Sequence, residues 1–244
     1  MSPPRIYQST PLTANQALTL DAAASHHLAR VLRAAVDDAI TLFNGDGNEY
    51  PAKITGIDKK SVHITIQSCV SRDVESPIDI YLAQGIARGE KMDFIIQKAV
   101  ELGVSKIFPL ITERCNVRLN QEREEKRLQH WQSIVISACE QSGRNRIPEI
   151  HAPQSLEAWL PQVIADLKFV LSPHVANQPA KNTLSQPKTI ALLIGPEGGL
   201  SDPEVALASQ HAFIPQCLGP RVLRTETATL ATITAIQCQY GDFS

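Results

Sequence analysis

Two hydrophobic periods divide this chain. Up to about residue 70 apolar and polar positions alternate: Val62, Ile64 and Ile66 point one way while their polar neighbours point the other, the period of a strand with one buried face. Strands are predicted over residues 39–43, 50–57 and 61–67. Gly45-Asp46-Gly47-Asn48 and Asp58-Lys59-Lys60 supply turn chemistry between them, and one short helix is predicted over 25–33. A small antiparallel sheet or barrel accounts for this part. The polar stretch from Ser71 to Pro77 then marks a boundary, giving domains 1–72 and 73–244.

Past Pro77 the pattern changes to strand and helix in turn, the order of an α/β domain. Strands are predicted at 78–83, 106–110, 168–171, 189–194 and 213–218. Met92, Ile95, Ile96, Ala99 and Val100 fall on one side of a helix over 91–102 that Gly103 stops, and Leu128, Trp131, Ile134, Val135 and Ala138 form the stripe of a longer helix over 123–142. Ser155 caps a short helix, and 172–188, with three prolines, reads as a loop.

The end of the chain repeats one phrase: strand, Gly-Pro loop, helix. The run 189–194 stops at Gly195-Pro196-Glu197-Gly198-Gly199, and Ser201-Asp202-Pro203-Glu204 has the makings of a capping box for a helix from residue 202. The strand 213–218 stops at Gly219-Pro220 before a last helix reaching about residue 237. Parallel strands place both following loops on one sheet edge, at the crevice where open α/β sheets bind ligands. Glycines at 195, 198 and 199 would leave main-chain N–H groups open to a ligand. The first loop has neither a P-loop lysine nor dinucleotide glycine spacing, and its only charge is Glu197. Such a loop disfavours a pyrophosphate and suits a cationic, phosphate-free adenosine, S-adenosylmethionine. A Gly-Pro loop is also an ordinary strand-to-helix turn, so one alone would decide little.

Composition narrows the field further. The chain has 244 residues and a formal net charge of -2, so any RNA contact must come from local clusters. Over residues 1–72 there are seven Lys and Arg against six acidic residues. His26, Arg30 and Arg33 are spaced to share a helix face, which suits phosphates or plain solvent. Arg88 and Lys91, and Arg114 and Arg118, follow strands at the ligand edge. Five scattered cysteines form no C-x-x-C pair, which predicts reduced, mostly buried thiols and no metal. No signal core or run of about 20 apolar residues appears, predicting a cytoplasmic protein without a membrane partner.

The segments from Leu193 to Ser201 and from Leu218 to Ala228, with Arg88 to Asp93, Lys98 to Gly103 and Ser137 to Arg144, resemble the ribosomal RNA small subunit methyltransferase E family of SPOUT methyltransferases. Weaker likeness extends to Arg5-Ile6-Tyr7 and to His27 through Arg33. The resemblance implies an N-terminal PUA-like RNA-binding barrel and a SPOUT-type α/β domain with a trefoil knot, which general topology rules alone would disfavour. It implies methyl transfer from S-adenosylmethionine to N3 of a uridine in 16S ribosomal RNA of the small subunit, by a homodimer. Leu193, Gly195, Glu197, Gly198, Leu218, Gly219, Leu223, Arg224 and Thr225 are its cofactor-binding positions. Arg224, Glu197 and Arg144 are the candidates for catalysis, and Arg5, Arg30, Arg33, Arg88 and Lys91 for RNA binding. Methylation of a tRNA ribose and a non-catalytic RNA-binding protein remain open. The last helix, with Leu230, Ile233 and Ile236 on one side and Ala228, Ala231 and Ala235 around the rest, offers a dimer face.

Overall fold

The computed structural model describes residues 3–115, 121–172 and 186–243. Arg118 and most of the loop 172–188 lie outside them. Internal contacts divide the chain into two units, Met1–Glu75 with Cys139–Ile147, and Ser76–Ala138 with Pro148–Ser244.

In the first unit, β1 (Arg5–Tyr7), β2 (Ala17–Thr19), β3 (Ala39–Phe43), β4 (Asn48–Ile57) and β5 (Val62–Ile66) form a sheet in the order β1-β3-β4-β5-β2, with a short β6 (Val70–Ser71) on β4. Its pairs are antiparallel except β1 on β3, which is parallel. The alternation read in 61–67 is the packing observed, since Val62, Ile64 and Ile66 are buried with Leu28, Leu42 and Ile54. The expected helix starts and ends earlier, over Ala22–Val31, and is irregular. Its α-helical part, α1 (Ala22–His26), is capped by the Asp21 carboxylate and runs into a π-helical turn, His27–Val31. Arg33 has left the helix with φ +54°, so the single face expected for His26, Arg30 and Arg33 is not formed.

Cys139–Ile147 is built into this unit by part-buried polar bonds. Tyr7 N–H donates to Glu140 Oε1 at 3.0 Å, Arg144 Nε donates to Glu75 Oε2 at 3.0 Å, and Asn145 Nδ2 donates to the Arg72 carbonyl at 2.9 Å. Burial pushes the Glu140 carboxyl up against the opposing bond from Tyr7, and pushes the Cys139 thiol up to about 12.

The second unit is built on parallel strands β7 (Asp79–Gly85), β8 (Val104–Ile111), β9 (Glu149–Ile150), β10 (Gln154–Ser155), β11 (Leu167–Leu171), β12 (Thr189–Ile194) and β13 (Ile214–Gln216). The order is β10-β8-β7-β12-β11-β13, with β9 also on β8. Strands β12 and β13 do not pair with each other; both pair with β11. The two Gly-Pro loops still leave the same edge, because every pair in the sheet is parallel. Helices α2 (Glu90–Glu101), α3 (Gln121–Ser142, whose last turn from Cys139 belongs to the first unit), α4 (Leu156–Trp159), α5 (Asp202–Gln210) and α6 (Thr225–Tyr240) follow β7, β8, β10, β12 and β13, and the capping box of Ser201 and Glu204 is present. Strand β12 lies between β7 and β11, with Ile190 through Ile194 buried, which explains its unbroken apolar run.

Helix α6 departs from its expected face. Thr225, Thr229, Thr232 and Gln237 are buried beside Ala228, Ile233 and Ile236, whereas Ala231 and Ala235 are exposed and Leu230 is half-buried. Among the described residues no helix is long and apolar enough to cross a membrane. All five cysteines are free, but only Cys139 is buried; Cys69 and Cys238 are exposed, correcting the expectation of mostly buried thiols.

Candidate functional site

The ends of β11, β12 and β13 surround a cavity of about 250 Å³, near the lower end of small-molecule sites. Gly195, Glu197 and Gly198 of the first loop and Leu218, Leu223 and Thr225 of the second line it, with Pro196, Gly199, Arg221 and Val222. Leu171 and Ser172, at the carboxyl end of β11, complete the wall. In the sequence Leu171 is only the last residue of the predicted strand 168–171 and Ser172 the first of a plain loop, although a parallel strand delivers its carboxyl end to the same edge.

The glycines do more than leave room for a ligand. A Cβ on Gly195 would stand 2.6 Å from the carbonyl carbon of Gly199 and 2.7 Å from the nitrogen of Leu200, so the loop folds onto the bare Gly195 backbone. A Cβ on Gly85, at the end of β7, would meet Pro196 Cδ at 2.5 Å. Arg114 holds the loop from outside, Nη1 donating to the Gly198 carbonyl at 2.9 Å.

Beneath the loop lies a buried polar cluster that hydrophobic patterning cannot reveal. Gln84 Nε2 is within hydrogen-bonding distance of the carbonyls of Gly85 and Gly195 and of Thr225 Oγ1, at 3.0–3.1 Å. Thr225 Oγ1 donates to the Gly195 carbonyl at 2.7 Å, and Thr229 Oγ1 donates to Gln84 Oε1 at 2.7 Å. These bonds fasten the start of α6 to the ends of β7 and β12.

Glu197 is the acidic group of the cavity. Burial tends to raise its pKa, but the Arg88 N–H, donating to Oε1 at 3.1 Å, and the Lys91 ammonium, 3.4 Å away, hold the carboxyl below its ordinary range. It is a fixed negative charge at neutral pH.

The RNA methyltransferase domain model matches residues 74–237 and the RNA methyltransferase PUA domain model residues 20–67. The ribosomal RNA small subunit methyltransferase E of Buchnera aphidicola subsp. Schizaphis graminum is 40% identical over 242 residues, covering 99% of this chain and 98% of that protein. The chain belongs to the ribosomal RNA small subunit methyltransferase E family. Among solved structures, a Legionella pneumophila protein crystallised with its cofactor SAM superposes with a TM-score of 0.96 at 43% identity, covering 100% of both chains. The family member from Neisseria gonorrhoeae, bound to S-adenosyl methionine, superposes at 0.91 with 39% identity, again over 100% of both chains.

With this family placement, the remaining candidate residues fall into distinct settings. Leu193 is wholly buried in β12, and neither it nor Gly219 lines the cavity; Gly219 instead gives the second loop its left-handed turn at φ +68°. Arg224, also outside the cavity lining, is the exposed N-cap residue of α6, with no ion pair to Glu226 among the described residues. Arg144 is buried in the first unit against Glu75 and does not line the cavity. Arg5, expected at an RNA surface, is held inside that unit by Glu49 and by Asn145 Oδ1 at 2.6 Å. Arg30, Arg33 and Arg88 are exposed, and Lys91 serves Glu197. No group of acidic, His or Cys side chains among the described residues could hold a metal ion.

Proposed function

We propose that this protein transfers a methyl group from S-adenosylmethionine to N3 of a uridine in 16S ribosomal RNA of the small ribosomal subunit. One observation carries the reading: the two Gly-Pro loops meet in one cavity whose acidic group, Glu197, is held ionised. When bound, S-adenosylmethionine supplies an electrophilic methyl group on a sulfonium. The lining suits it, with apolar Leu171, Ile194, Leu218 and Leu223 for an adenine and Glu197 for positive charge. The relatives crystallised with this cofactor support the same choice.

The target nitrogen must lose its proton and direct its electron pair at the methyl carbon, so alignment and stabilisation of negative charge supply most of the rate. Arg224, with Arg221 of the cavity lining, is assigned to that charge. Glu197 is assigned to the cofactor and not to proton transfer, because a carboxyl held below its ordinary range is a weak base. Arg144, committed to Glu75, is assigned no chemical step.

Residues 1–72 are assigned to RNA binding and 73–244 to methyl transfer, in the cytoplasm where ribosomal RNA is found. The trefoil knot belongs to the same reading, supported by the anchoring of α6 at the ends of β7 and β12. So does a homodimer: Phe94, Leu230, Ala231, Thr234 and Ala235 line an open groove, and Phe94 is 43% exposed. Calorimetric titration tests the cofactor. S-adenosylmethionine should bind without metal and in preference to NAD or ATP; the reverse preference would refute the reading.

A further inference from the structure

We propose that the π-helical turn His27–Val31 and the residues after it recognise unpaired bases, so that the first unit selects an RNA loop or bulge over a continuous duplex; this rests on the RNA-binding reading above. The turn is held by Leu32 N–H donating to the His27 carbonyl at 2.9 Å and Ala34 N–H donating to the Leu28 carbonyl at 3.0 Å. Closing a helix this way puts the residue between in the left-handed region, where glycine is usual. Here it is Arg33, at φ +54°. A strained position filled by a long cation, with no hydrogen bond or ion pair on its side chain among the described residues, is a candidate for function, and π-turns within helices frequently mark functional sites.

The side chains around Arg33 state what kind of partner fits. Val31, Leu32 and Val36 are 59%, 43% and 49% exposed while Leu28 is fully buried beneath them. Exposed His26, His27, Arg30 and Arg33 accompany these apolar groups. The neighbouring acids are engaged, Asp37 by Lys53 at 2.8 Å and Asp38 by the Ala35 N–H at 2.7 Å. Phosphates satisfy cations but offer nothing to valine and leucine, and a duplex keeps its base faces stacked. Unpaired bases present faces to apolar side chains while their flanking phosphates meet the cations.

The test is fluorescence polarisation with two labelled RNAs of equal nucleotide number, a hairpin with an unpaired loop and a blunt duplex. The hairpin should bind roughly 5- to 100-fold tighter, the range expected when one base gains a stacking contact. The double variant Val31→Ser, Leu32→Ser should lose that preference and keep duplex affinity. Arg33→Gly should weaken both RNAs, lower the salt slope by about one, and raise Tm by about 2–4 °C through relief of strain. Equal affinity of the native protein for both RNAs, or a preference that survives the serine pair, would overturn the proposal. So would an Arg33→Gly variant that keeps full RNA affinity. Titration of each variant with S-adenosylmethionine separates the two readings: hairpin preference without cofactor binding would defeat the methyltransferase reading alone.

Discussion

Gln84 and Thr225, 141 positions apart in sequence, are both buried and meet where Thr225 lines the cavity, with Gln84 Nε2 donating to Thr225 Oγ1 at 3.0 Å. With Thr229 and the Gly195 carbonyl they make a closed polar cluster between β7, β12 and α6. Such a cluster is stabilising only while every member has a partner. Gln84→Leu should therefore cost about 3 kcal/mol, since it strands buried groups on both neighbouring elements. Thr229→Val, which removes the hydroxyl that reaches Gln84 Oε1 and the Thr225 carbonyl, should cost about 1–2 kcal/mol. Denaturant unfolding checks both, and Gln84→Leu should also weaken S-adenosylmethionine, whose loop it loosens.

The three glycine positions should respond differently to alanine. Gly195→Ala drives Cβ into backbone at 2.6 Å and should abolish cofactor binding by deforming the loop. Gly198→Ala meets the side chain of Arg114 at 3.0 Å, which can give way, so its loss should be smaller. Gly219→Ala meets only the Arg221 side chain, at 4.0 Å, but has φ +68°, and should cost about 1 kcal/mol of strain. Calorimetry with S-adenosylmethionine, alongside circular dichroism, ranks them.

Much of this site is legible in the sequence because it is punctuated locally. The apolar run of β12, the Ser201–Glu204 box and the two Gly-Pro stops each act within a few residues, and they locate the cavity. What stays hidden depends on distant partners. A polar Gln84 in a strand and threonines on α6 look like surface positions until folding brings them together. Lys91, read as a basic RNA contact, reveals its partner Glu197 only across 106 positions of chain. The same holds for Cys139–Ile147, whose place in the first unit follows from Tyr7, Arg72 and Glu75, none adjacent in sequence. Arg33 in a left-handed turn breaks the local preference from which the short helix was predicted.

Cofactor affinity should depend on pH through Glu197. Its folded pKa lies below the ordinary 4.5, so the charge and the interactions it makes are complete above that value and are lost only as pH falls through the lower folded value. Affinity for S-adenosylmethionine should thus be flat from neutral pH down to about 5 and decline below 4.5. Lys91→Met removes one of the groups that keep Glu197 charged and should move the decline to higher pH. An acid limb unchanged in Lys91→Met would separate the limb from Glu197.

The groove between α2 and α6 predicts the oligomeric state. Phe94→Asp places a charge in it and should shift light scattering from dimer to monomer while leaving the fold intact by circular dichroism. A native protein that is a fully active monomer at low concentration would contradict the dimer.

The central claim is chemical and is tested most directly by nucleoside analysis of ribosomal RNA. Small subunits or 16S RNA lacking the modification are incubated with this protein and S-adenosylmethionine carrying a labelled methyl group, then digested to nucleosides and separated by mass. The label should appear in 3-methyluridine, and Arg224→Ala should reduce its rate of appearance by about 100-fold or more, the loss expected when one transition-state charge partner is removed. Label in a ribose-methylated nucleoside, or none in the RNA while the cofactor still binds, would contradict the account.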